Sequence, residues 1–345
     1  MNCGGVAINM GESQVRGRND NRFAATTSNT SGQFHIGTCG YSYPGEPPNG
    51  WNGVFYPKYG RKRVDPLEFY ANYFNAVEIN STFYRPAGAA MARAWVDKTP
   101  AGFVFTVKAW QKFTHSTKLG DGASGAAERW APFDRADVEY FSAGVAPLVE
   151  AGRLGGLLFQ YPAGFVRNQE NAERLEAALA AFDFCPKVVE LRHRSWSDQR
   201  AQTDALLARF RTSWAFIDEP KFPMSVKQEL AATDELTYLR LHGRNAEKWW
   251  RHQEAWERYD YFYRAENIHR LADRLQQLAG KSPRTKFYVF FNNHARGQAV
   301  ANGLMLQAAL ASGVRAKAPP SMIEAFPELV NFAVVSGEAG DPRRS

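Results

Sequence analysis

The sequence predicts a single (β/α)8 barrel of the TIM type, built from parallel strands. Three observations lead there. Eight short apolar runs recur along the chain, most of them rich in β-branched or aromatic residues. A helical stretch follows most of them, and strand–helix alternation repeated eight times makes a parallel sheet that can close on itself. Run after run is apolar at first and polar at its end, which gathers the chemistry at one rim. A doubly wound open sheet is the competing arrangement, and no P-loop supports it.

Residues 1–33 are rich in Asn, Gly, Ser, Thr and Arg without an apolar period, so a disordered N-terminal tail is expected there. The barrel is expected over 34–335, with 336–345 as a frayed C-terminal tail. Strands are expected at 35–38, 76–80, 103–108, 156–160, 188–192, 214–218, 237–242 and 287–292. Asp65-Pro66-Leu67-Glu68 opens a helix with an N-cap Asp, a first-turn Pro and a Glu three residues after the cap. Over 168–182, Leu175, Ala178, Leu179 and Phe182 share one helical face. Further helices are read at 202–210, 261–278 and 299–311.

Composition sets the class. Apolar residues are 44% and charged residues 22% of the 345, an ordinary globular balance that needs no staples. Lys and Arg number 42 against 35 Asp and Glu, and the net +7 favours anionic partners, nucleic acid among them. Cys3, Cys39 and Cys185 lie far apart with no CxxC, so neither a disulfide framework nor a cysteine zinc site is expected, and a reducing cytoplasm fits. No apolar run approaches about 18 residues, so no membrane span is expected. The N-terminus lacks the apolar segment of a signal peptide.

The strand ends supply the candidate site. Side chains alternate along a strand, so Glu78 shares a face with Asn80, Glu190 with Arg192, and Arg240 with His242. Lys108, Gln160, Asp218, Asn292, Asn293 and His294 end other strands, and His193, Trp196 and Arg244 follow two of them. Arginine forks match phosphate or carboxylate oxygens, and Trp196, Tyr84, Tyr41 and Trp51 offer rings for stacking on a base or sugar. Burying so many charges is costly unless they pair or bind something. The bland alternative is therefore a set of interior ion pairs, Glu190 with Arg192 or Arg240 and Glu78 with Lys108.

Several ordered segments resemble the YecE-like family, also known as domain of unknown function 72. They are Ile36-Gly37-Thr38-Cys39-Gly40-Tyr41-Ser42-Tyr43, Trp51, Phe55-Tyr56-Pro57, and Val77-Glu78-Ile79-Asn80-Ser81-Thr82-Phe83-Tyr84. Gln160-Tyr161-Pro162, Glu190 through Trp196, Leu241-His242-Gly243-Arg244 and Phe290-Phe291-Asn292-Asn293-His294 continue the match in order. Where that family usually carries Gly-Trp after the first strand, this chain has Gly40-Tyr41, with extra residues around Pro44–Gly50 that reshape the first loop. The resemblance implies a TIM-type barrel and brings no activity with it.

The residues themselves suggest an enzyme acting on a phosphate-bearing or other anionic substrate, plausibly nucleic acid, as a hydrolase or phosphodiesterase would. Glu78 or Glu190 would be the base, His242 the acid, and Arg192, Arg240 and Arg244 the anion clamp. The alternative is a non-catalytic binder of nucleic acid or an anionic metabolite. A sugar isomerase or glycosidase follows from fold analogy alone, and the arginine excess argues against a neutral sugar. Glu78, Glu190, Asp218 and His242 have donor chemistry for a divalent ion, but arginines on the same strand faces would repel it. No metal and no cofactor are expected.

Overall fold

Asp65 caps its helix as the motif demands, accepting from the backbone N–H groups of Leu67 and Glu68, so that helix α1 runs Pro66–Tyr70. The computed structural model describes residues 33–58, 64–117, 129–130, 132–233, 235–311 and 313–336. The expected tails, 1–33 and 336–345, lie outside them apart from Gln33 and Ser336.

The chain is a mixed α/β fold with parallel sheets. The main strands are β1 Phe34–Thr38, β2 Ala76–Ile79, β3 Val104–Lys108, β4 Leu154–Gln160, β5 Lys187–Glu190, β6 Thr212–Trp214, β7 Phe216–Asp218, β8 Leu236–Leu241 and β9 Lys286–Phe291. One sheet has the order β1-β9-β8-β7 and the other β2-β3-β4-β5-β6, with every pairing parallel. Ser116–Thr117 with Arg129–Trp130, and Ala316–Ala318 with Ala333–Val335, form short separate ladders.

The two sheets meet along two seams. The run 212–218 gives its first half to one sheet and its second half to the other. Across the other seam, Cys39 bridges Glu78 in parallel, and the Gly40 N–H donates to the Glu78 carbonyl at 2.8 Å. The Asn75 side chain also accepts from Ile36 N and donates to Phe34 O, both at 2.9 Å. The approach is close enough that a Cβ on Gly37 would stand 2.0 Å from the Ala76 carbonyl oxygen.

Two apolar clusters hold the fold. The larger packs helices onto the outer strand faces and includes helix Gln298–Leu310, nearly all of which is buried. The smaller joins Cys39, Ala76, Leu158, Val188, Ala215, Tyr238 and Phe290, so residues from both sheets meet on their inner faces. Burial of this kind is the main stabilising term, at roughly 25 cal/mol per Å².

The expected strands all form, with ends shifted by a residue or two. Asn80 already has helical dihedrals, which stops β2 at Ile79. The helix read from 261 instead begins as Ala265–Lys281. Tyr263 N is tied to Asn302 Oδ1 at 3.1 Å, which keeps the preceding segment out of the helix. No helix among the described residues is long and apolar enough to cross a membrane.

Candidate functional site

Alternation along β2, β5 and β8 turns Glu78, Glu190, Tyr238 and Arg240 onto the inner faces, where they are buried. Arg240 is the hub, with 3% of its surface exposed. Its Nε donates to Glu78 Oε2 at 2.9 Å, its Nη2 to Glu78 Oε1 at 2.7 Å and its Nη1 to Glu190 Oε2 at 2.6 Å. Glu78 Oε2 also accepts from the Tyr238 hydroxyl at 2.8 Å, and that hydroxyl pairs with Thr106 Oγ1 at 2.8 Å. One guanidinium on β8 thus ties together two carboxylates of the other sheet.

The network continues outward. Arg192 Nε donates to Glu190 Oε1 at 2.6 Å, and its Nη1 lies 3.3 Å from Glu219 Oε2. Its Nη2 stands 3.2 Å from His242 Nε2, and His242 Nδ1 stands 2.8 Å from the Asn292 amide. The guanidinium and the Asn292 amide nitrogen both donate, so the ring meets donors on both sides, which disfavours its doubly protonated form. Burial, reinforced by the Arg192 charge, pushes His242 down to about 3. Burial pushes Glu190 up, yet Arg192 and Arg240 overcome it and hold the carboxyl well below the usual range. Burial pushes Glu219 up, against the opposing Arg192 charge.

Above this layer, at the C-terminal ends of the strands, lies a cleft of about 710 Å³. Among the described residues its charged lining is cationic: Lys108, Arg192, Arg240 and Arg258, with His252 and His294 beside them. Glu78, Glu190 and Glu219 lie beneath that lining. Tyr41, Tyr43, Tyr84 and Tyr259 add rings, and Asn80, Gln160 and Asn292 add amides. Burial pushes His294, stacked on Tyr43 at 4.8 Å, down to about 4. A smaller cavity of about 460 Å³ opens where β5, β6 and β8 begin, between Arg200, Asp204 and Glu235.

Arg258 reaches the cleft from the long connection after β8. That connection folds back because Asn245 Nδ2 donates to the carbonyls of Glu257 and Asp260, at 3.0 and 3.2 Å, while Lys248 pairs with Glu257 at 2.9 Å. Arg258 then packs over the Trp249 and Tyr259 rings, 5.8 Å from each. Its Nη2 lies 3.2 Å from His252 Nε2, and its Nε has no hydrogen-bond partner among the described residues.

The profile of a family described as "Protein of unknown function DUF72" matches residues 35–324. The chain belongs to the DUF72 family. It is similar to the UPF0759 protein YunF of Bacillus subtilis (strain 168), 30% identical over 266 residues, covering 74% of this chain and 90% of that protein. Among solved structures it resembles a DUF72 family protein from Thermotoga maritima MSB8, with a TM-score of 0.64 and 30% identity over 80% of this chain and 98% of the other. A DUF72 family protein from Enterococcus faecalis V583 shares the fold at 24% identity and a TM-score of 0.66, covering 80% of this chain and 95% of that one. None of these names carries a reaction, so the chemistry must be read from the cleft.

In this DUF72 chain, Asn80, Lys108, Gln160, Arg192, Arg240, Asn292 and His294 line the cleft, with Glu78, Glu190 and His242 directly beneath. Several expectations need correction. Arg240 holds carboxylates rather than waiting for an anion, and Glu78 pairs with Arg240 rather than Lys108. Glu78 and Glu190 are spent on those guanidiniums, and His242 is neutral at rest, so no acid–base pair stands ready among these three. Trp196 cannot stack on a ligand, because it is fully buried against Phe165 with its Nε1 bonded to the Phe165 carbonyl at 2.7 Å. Trp51 is likewise buried and bonds the His294 carbonyl at 2.8 Å.

The remaining candidates serve the scaffold. His193 caps helix Arg194–Asp198 by accepting from Ser195 N at 3.2 Å. Asn293 is buried, donating to Tyr261 O and Asn302 Oδ1 at 2.8 Å each. Arg244 and Asp218 neutralise each other at 2.5 Å away from the cleft lining. Sequence reasoning missed Arg258, His252 and Tyr259; the Trp- and Tyr-rich stretch 249–263 was the only signal for them.

Proposed function

We propose that the two sheets close into one (β/α)8 barrel, spanning about 34–335, whose C-terminal cleft binds a phosphate-bearing anion of roughly nucleotide size. Closure is supported by the two seams, by the inner apolar cluster, and by Arg240 reaching carboxylates on the opposite sheet. The observation that carries the functional reading is the charge separation at the cleft. Arg192, Arg240, Lys108 and Arg258 line the cleft, while the three carboxylates that oppose them, Glu78, Glu190 and Glu219, lie beneath it, so the face offered to a ligand is positive. About 710 Å³ suits a small molecule, such as a nucleotide or a sugar phosphate, better than a duplex.

Arg258 takes the anion, since its guanidinium forms no ion pair among the described residues, and the tyrosines offer faces for a ring. Calorimetric titration of the intact protein with inorganic phosphate, a mononucleotide and a short oligonucleotide tests this. The phosphate and mononucleotide should bind, and Arg258→Ala should weaken both about tenfold or more. No binding to the unaltered protein, or equal binding by the variant, would overturn it. Purely non-catalytic binding gains weight from one observation, the engagement of Glu78 and Glu190 by guanidiniums, which leaves Lys108 as the chemically open group.

A further inference from the structure

We infer that Lys108 is a nucleophilic amine that forms an imine with the carbonyl carbon of a phosphorylated aldehyde or ketone held in the cleft. This rests on the anion-binding reading and adds the substrate's reactive group to it.

Most partly buried lysines of this fold are tied down. Lys187 Nζ reaches the Phe182 carbonyl at 3.3 Å and Asp183 at 3.2 Å, Lys98 reaches Asp65 at 2.6 Å, and Lys112 reaches Asp137 at 2.7 Å. Lys108 differs. It ends β3, lines the cleft and is partly buried, yet among the described residues no hydrogen bond or ion pair holds its Nζ. The amine instead lies over the Phe83 ring, 3.9 Å from its centre. The carboxylates that would ordinarily pair with it, Glu78 and Glu190, are occupied by Arg240 and Arg192.

The Phe83 ring face favours the ammonium, whereas burial and the neighbouring guanidiniums favour the neutral amine. Burial is the largest influence, followed by Arg240; Glu190 and Glu78 oppose them, Arg192 assists, and the outcome is about 8. His115, on the segment after β3, is held low by its own burial and then by the Lys108 charge, and adds no competing positive charge. At pH 7 about a tenth of Lys108 is therefore unprotonated and nucleophilic.

The step balances without an oxidant or reductant. The Lys108 nitrogen lone pair forms a bond to the carbonyl carbon while the C=O π bond breaks onto oxygen. One proton passes from nitrogen to that oxygen, giving a carbinolamine. A proton taken from solvent water onto its hydroxyl then expels water as the nitrogen lone pair forms the C=N bond, leaving a protonated imine, and hydrolysis reverses the sequence. Asn80, whose buried Oδ1 has no partner among the described residues, and Gln160 line the same cleft and offer hydrogen bonds to the hydroxyl. Arg258 remains charged throughout and holds the phosphate.

Pyridoxal 5′-phosphate, which carries both an aldehyde and a phosphate, is a suitable probe of the full-length protein. Borohydride reduction followed by peptide mass mapping reads where the imine forms. The expected result is a dominant adduct on Lys108, displaced by inorganic phosphate, whose rate falls about tenfold per pH unit well below pH 8. Lys108→Arg should lose the adduct while unfolding at the same temperature as the unliganded unaltered protein, since no hydrogen bond or ion pair among the described residues holds the Lys108 amine. Adducts spread over surface lysines with Lys108 spared, or a Lys108→Arg variant labelled as before, would overturn the inference. Failure of phosphate to shift even the unaltered protein would refute the anion reading instead. Labelling by unphosphorylated pyridoxal would then still judge the amine.

Discussion

Replacing Arg240 with Ala removes the guanidinium shared by the buried carboxylates of Glu78 and Glu190. Arg240 makes three charge-assisted bonds of 2.6–2.9 Å to Glu78 and Glu190, both of which are wholly buried. Breaking a buried pair by deleting one partner costs about 3–5 kcal/mol, and here the deletion strips Glu78 of its guanidinium and leaves Glu190 with Arg192 alone. A loss of about 3–5 kcal/mol at neutral pH is expected, read by urea denaturation. The sign of its pH dependence follows from Glu190. In the unaltered protein its carboxyl is held below the ordinary value of 4.5, so it contributes stability that is present above that value and lost as the pH falls through its lowered one. In Arg240→Ala the Arg240 share of that contribution is gone while Arg192 keeps its own, so the carboxyl is held down less. The deficit should therefore be full at pH 8 and shrink as the pH falls below about 4.5, where the variant's carboxyl protonates before that of the unaltered protein. A loss below about 2 kcal/mol, or one that does not shrink below that pH, would refute the hub role.

Other positions separate scaffold from site. Trp196→Ala should cost about 3–5 kcal/mol by urea denaturation, because a fully buried ring is removed, while leaving the phosphate affinity of the folded protein unchanged. Gly37→Ala should destabilise by about 3 kcal/mol or more, since its Cβ would meet the Ala76 carbonyl oxygen at 2.0 Å, and thermal denaturation reads the effect.

Much of this was legible in the sequence because strand periodicity is simple. The alternation Glu78-Ile79-Asn80, Glu190-Leu191-Arg192 and Arg240-Leu241-His242 placed the polar members on the inner faces and the apolar ones towards the helices, as observed. Alternation gives a face, not a partner. Whether Arg240 meets a ligand or Glu78 depends on which strands stand opposite one another, and no local pattern encodes that. Trp196 looked exposed because it follows a charged strand end, but the one-turn helix Arg194–Asp198 rotates it inward against Phe165. Arg258 was hidden for the opposite reason. It enters from an irregular connection held by Asn245 and Lys248, where there is no period to read.

The central claim, that an anion occupies this cleft, is tested most directly by crystals soaked in tungstate, a phosphate-shaped anion visible by anomalous scattering. The cationic lining predicts a peak inside the cleft, within hydrogen-bonding distance of Arg258, that disappears in Arg258→Ala crystals. Peaks confined to surface lysines, or to the cavity beside Arg200 at the far end of the strands, would contradict it.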